Sequence, residues 1–101
     1  MSHYLLAFRG GMPKSSEEGE KMMEAWNAWM GELGDALVDP GAGLGKSRFL
    51  TGPGKEDTAG DALSGYSVIE AADIEAALEI AGRNPIFSLG GSIEVAEQLK
   101  F

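Results

Sequence analysis

The chain has no cysteine and a single histidine, His3. The first absence excludes disulfides, thiolate nucleophiles and Cys-ligated metals. The second leaves any metal site to carboxylates, and the acids are spread without ligand-like spacing, so neither metal nor cofactor is expected. Basic residues are scarce: eight Lys and Arg stand against sixteen Asp and Glu, for a net charge of −8. No basic cluster exists to neutralise phosphates, which argues against nucleic acid and against an anionic membrane surface. Long apolar runs are missing too. The strongest, residues 4–8, falls far short of the ~20 residues of a spanning helix, and the N-terminus has no signal-like character. A cytoplasmic protein is the expectation.

Glycine, by contrast, is abundant: 15 of 101 residues, about twice the usual share of roughly 7%. Several gather in Gly41-Ala42-Gly43-Leu44-Gly45-Lys46-Ser47, which at first sight resembles a phosphate-binding loop. Such a loop needs G-x-x-x-x-G-K-[ST] leading into a helix, whose free N–H groups hold the anion. Here the leading glycine falls on Pro40, and residues 47–51 run into Gly52-Pro53-Gly54, which no helix survives. The dinucleotide pattern G-x-G-x-x-G fails as well. These glycines are read as turns, not as a nucleotide site.

The length fits one domain, residues 1–101, with 44% hydrophobic content in the ordinary globular range. Residues 3–9 alternate as a strand, with Tyr4, Leu6 and Phe8 on one side and Leu5 and Ala7 on the other; both sides are apolar and call for cover. Residues 15–33 read as a helix opened by a Ser15/Glu18 capping box. Its apolar stripe is Met23, Trp26, Met30 and Leu33, flanked by Met22 and Trp29. A weak second strand is predicted at 45–51, a long loop at 52–64, and a third strand at 65–70. A second helix is capped by Asp73, with Ile74, Ala77, Leu78 and Ala81 facing inward. A fourth strand spans 92–96. The order β-α-β-β-α-β predicts an α+β, ferredoxin-like fold: a four-stranded antiparallel sheet with both helices on one face. The other face is apolar along the first strand, so a second copy is expected to cover it.

Several residues could carry chemistry. Arg9, at the exit of the first strand, could clamp a carboxylate or phosphate. Glu70 and Glu94 could act as bases if desolvated on the sheet. His3 lies at a strand start with no nucleophile placed beside it, so no Ser-His-Asp set is assembled. Trp26 and Trp29, with their methionine neighbours, either line a pocket for an apolar ligand or form core.

Residues 64–71 (Ser-Gly-Tyr-Ser-Val-Ile-Glu-Ala), 73–79 (Asp-Ile-Glu-Ala-Ala-Leu-Glu), Asn84-Pro85-Ile86 and Gly90-Gly91-Ser92-Ile93-Glu94-Val95 together resemble the YCII-related family, including its DGPF branch. The opening residues 4–10 and the Trp26/Trp29 helix are similar to that family too. The resemblance implies a dimeric α+β barrel and a possible His–Asp catalytic pair. The family histidine on the first helix has no counterpart near Met23, and no DGPF signature stands near residues 52–54, so that pair is not carried over. Three functions stay open: a small-molecule-binding homodimer with a regulatory or accessory role; a lyase or isomerase using a carboxylate base with Arg9 as anion clamp; and a ligand-free structural dimer.

Overall fold

The computed structural model describes residues 1–58 and 60–100. Alternation along the first residues produces β1 (Ser2–Arg9), with Tyr4, Leu6 and Phe8 buried and Leu5 on the opposite side. The chain then enters α1 (Ser16–Leu33), where the Ser15 hydroxyl accepts from the Glu18 N–H at 3.1 Å. The reciprocal half of this cap reaches one residue further out: the Glu18 carboxylate accepts from the Lys14 N–H. Both contacts satisfy groups that a helix start leaves unpaired.

After α1, Gly34 and a short 3-10 turn lead into β2 (Leu37–Gly43). This corrects the expectation of a second strand at 45–51. The segment expected there contributes instead β3 (Phe49–Gly52), which pairs with β4 (Lys55–Asp57) as a separate two-stranded hairpin. The predicted 52–64 loop is therefore largely this hairpin and its return. β5 (Leu63–Ala71), α2 (Ile74–Gly82), a 3-10 segment (Pro85–Leu89) and β6 (Ser92–Glu97) complete the chain. Asp73 caps α2 by accepting from the Ala76 N–H at 2.9 Å.

The molecule is α+β, with a four-stranded antiparallel sheet in the order β2-β5-β1-β6. Trp29 from α1 and Ala77 and Ala81 from α2 join Tyr4, Leu6, Phe8 and Ile69 in one buried cluster, so both helices contribute to the same packed side. Their inward residues differ in part from the sequence expectation. Met23 is 63% exposed, and Trp29 takes the buried position. In α2, Leu78 and Ile74 face outward while Ile80 packs inward. The small alanines let this helix approach the sheet closely, and the Trp29 indole fixes the roll of α1 by donating Nε1–H to the Ile80 carbonyl at 3.1 Å.

β2 is irregular for a local reason. Its register against β5 shifts on both sides of Asp39, where Pro40 offers no N–H to the ladder. The Asp39 carboxylate accepts from the Gly41 N–H at 2.8 Å, and the buried Ser67 hydroxyl donates to the Pro40 carbonyl. Gly41 has φ +74°, and a Cβ there would overlap the Tyr66 carbonyl. The glycine-rich run thus begins as a bulged edge strand pressed against β5, not as a phosphate loop.

The helix-free side of the sheet carries Leu5, Ala7, Tyr66, Val68 and Ala96, set by the pairs Leu5↔Val68, Ala7↔Tyr66 and Leu5↔Ala96. Leu5 is 38% exposed at its centre. The molecule is a slab with extents of 42 × 42 × 18 Å and a radius of gyration of 14.7 Å; about 12.7 Å is usual for this length. It exposes 6914 Å², against about 5,500 Å² for a compact monomer of this mass.

Candidate functional site

β1 and β6 place Arg9 and Glu94 side by side at one end of the open sheet face. The Arg9 Nη1 donates to Glu94 Oε1 at 2.8 Å, and Nε reaches the Asp61 carbonyl at 3.4 Å. Gly10 follows immediately, and its carbonyl accepts from the Ser64 hydroxyl at 2.9 Å, which fixes the β1 exit against the start of β5. Arg9, Gly10, Asp61, Ala62, Gly90 and Ser92 line a cleft of about 370 Å³.

The Arg9 side chain is 31% exposed and that of Glu94 is 64% exposed. Glu94 lies largely in water beside a cation, and the paired guanidinium has the geometry of an anion clamp. An incoming anion can take over the Arg9 donors as Glu94 swings into solvent.

His3 and Glu70 lie at the other end of the same face, 3.9 Å apart and each with 37% of its side chain exposed. Arg9 follows His3 by six positions along the strand, a distance of about 20 Å. The structure therefore brings His3 to Glu70, and Arg9 to Glu94, but joins neither pair to the other.

Trp26 and Trp29 pack as core. Trp26 stands edge-on to Phe8 and to Trp29, with ring centroids 5.0 and 5.6 Å apart, and Trp29 is buried. Such edge-to-face packing fills space that a ligand would need. Neither indole lines the Arg9 cleft or the cleft beside the start of α1. The second cleft, about 280 Å³, lies between the first turns of α1 (Glu18, Met22, Ala25) and the segment holding Pro85 and Leu89. Among the described residues no group of His, Asp and Glu could hold a metal ion, and no helix is long and apolar enough to cross a membrane.

Sequence reasoning missed Asp61, Ser64 and Ser92 as neighbours of Arg9. Ser92 carried a signal, because it precedes Glu94 by two on an alternating strand and so shares its face. Asp61 and Ser64 carried none, since tertiary pairing alone brings them to the β1 exit. No protein-family model matches the chain, and no curated protein matches it.

Proposed function

We propose that this chain is a YCII-related α+β domain acting as a homodimer that binds a small anionic molecule, in a regulatory or accessory role. With the β3-β4 hairpin set aside, the strand order supports a ferredoxin-like split βαβ arrangement. Two such sheets placed face to face make a dimeric α+β barrel.

The observation that carries the dimer is the sheet face holding Leu5, Tyr66, Val68 and Ala96, which no helix among the described residues covers. The surface in excess of a compact monomer is about 1,400 Å², more than the ~800 Å² each partner gives up in a standard interface. The ligand site is the Arg9 cleft at the end of this face, with the guanidinium as anion clamp.

Sedimentation equilibrium at micromolar protein tests the first half: a dimer is expected, and a folded monomer overturns it. A thermal-shift panel of small carboxylates and phosphates tests the second. Binding to the native state raises the melting temperature, and Arg9→Ala abolishes the rise. The tight packing of Trp26 and Trp29 favours a second reading, a dimer without ligand; no shift with any compound would select it.

A further inference from the structure

The Arg9 cleft holds more than its cation. Asp61 lines it as well, while Glu94, the salt partner of Arg9, does not. The Asp61 carbonyl accepts from Arg9 Nε at 3.4 Å, so the two residues adjoin on one wall. Ser92 lies directly opposite Arg9 in the β1–β6 register, which sets their β-carbons about 5 Å apart on one face. Neither the Asp61 carboxylate nor the Ser92 hydroxyl has a hydrogen bond or an ion pair among the described residues. The remaining lining is Gly10, Ala62 and Gly90, which adds backbone and one methyl group but no charge.

Charge decides which anion fits. Arg9 has two acids for neighbours, Asp61 and Glu94, in a chain of net charge −8. A phosphate or a plain carboxylate gains the guanidinium but also meets both acids, and like charges brought together oppose binding. A ligand that carries its own cation beside its anion turns that repulsion into attraction. Arg9 has donors to spare: Nε and one N–H of Nη1 are engaged, which leaves three of the five for a carboxylate. Because Arg9 and Asp61 are neighbours on the wall, the ligand's ammonium must sit close to its carboxylate, as it does across the single α-carbon of an amino acid. The cleft of about 370 Å³ equals about a dozen waters at ~30 Å³ each, enough for such a molecule.

We infer that the cleft binds a free α-amino acid, with Arg9 and the Ser92 hydroxyl donating to its carboxylate and the Asp61 carboxylate accepting from its ammonium group. The inference rests on the reading of Arg9 as an anion clamp and names the class of molecule whose anion is held. Asp61 is then the residue that sets specificity. It attracts the zwitterion and repels the same acid without its amino group.

Thermal shifts with each of the common L-amino acids identify the strongest binder. Titration calorimetry then compares that amino acid with its deamino analogue, the same acid carrying hydrogen in place of the amino group. The parent protein is expected to bind the amino acid at least about 10-fold more tightly. Asp61→Asn is expected to weaken the amino acid by at least about 10-fold and to tighten the deamino acid, because the repelling charge is gone. Arg9→Ala is expected to abolish both. Asp61 is exposed and outside the buried cluster, so circular dichroism of its Asn variant should match the parent. Equal affinity of the parent for the two acids, or an Asn variant that holds the amino acid as tightly as the parent, overturns the inference and leaves the anion clamp standing. No response to any amino acid also overturns it, and if small carboxylates and phosphates give none either, the clamp falls too. Binding that survives Arg9→Ala overturns both.

Discussion

Trp29 and Ile80 are joined by a hydrogen bond of 3.1 Å, from the indole Nε1 to the peptide carbonyl, which ties the C-terminal part of α1 to the last turn of α2. Trp29→Ala removes both the ring and the bond and is expected to cost about 3–5 kcal/mol, a large share of a typical 5–15 kcal/mol stability. Trp29→Phe keeps most of the ring and is expected to cost about 1–2 kcal/mol. Urea unfolding at fixed protein concentration checks both. If the Phe variant matches the parent, the indole bond contributes nothing.

Two glycines in one run make a paired prediction. Gly41→Ala places a Cβ against the Tyr66 carbonyl at φ +74°, whereas a Cβ on Gly45 meets nothing within 4 Å. The first change is expected to cost about 1–3 kcal/mol and the second less than about 0.5 kcal/mol. Thermal melts in the presence and absence of ATP complete the test, with no nucleotide effect expected on either variant. Equal costs would show that the run is not anchored at Gly41.

The Arg9–Glu94 pair is exposed enough to matter little for folding. Such pairs contribute about 0–1 kcal/mol, so Glu94→Gln is expected to leave the urea midpoint nearly unchanged. Freeing the guanidinium should at the same time strengthen binding of any anion that raises the melting temperature of the parent. Titration calorimetry with that anion reads the change. Weaker binding to the Gln variant would mean that Glu94 contacts the ligand itself.

Val68 lies beside Leu5 on the open face. If the proposed dimer forms through this face, Val68→Glu is expected to convert it to a folded monomer, as a charge set into an apolar interface loses its water without gaining a partner. Small-angle scattering of the variant at micromolar concentration should give about half the parent mass. An unchanged mass would move the interface to another surface.

The elements that could be read from sequence are those with strong local signals. β1 showed its alternation, α1 and α2 announced themselves through Ser15 and Asp73, and β5 and β6 were found to within a few residues. β2 was hidden because Asp39, Pro40 and Gly41 break its period, while residues 47–51 have the composition of a strand but pair locally through the Gly52–Lys55 turn. The face of α1 was misread because Met23 and Trp29 are both apolar. A hydrogen bond to a residue 51 positions away decides between them. Arg9 and Glu94 were each visible as single residues. Their pairing was not, because it follows from β1 and β6 lying side by side.

The two borders of the sheet set a limit on self-association. β2 is kinked at Pro40 and Gly41, and β6 bears Glu94 and Glu97, both devices that stop a foreign strand from docking alongside. Growth by lateral addition is therefore closed off, and in the proposed dimer stacking through the flat side uses up that side. Aggregation into ribbons is disfavoured at the same time, so crowding this protein should yield discrete pairs rather than fibrils.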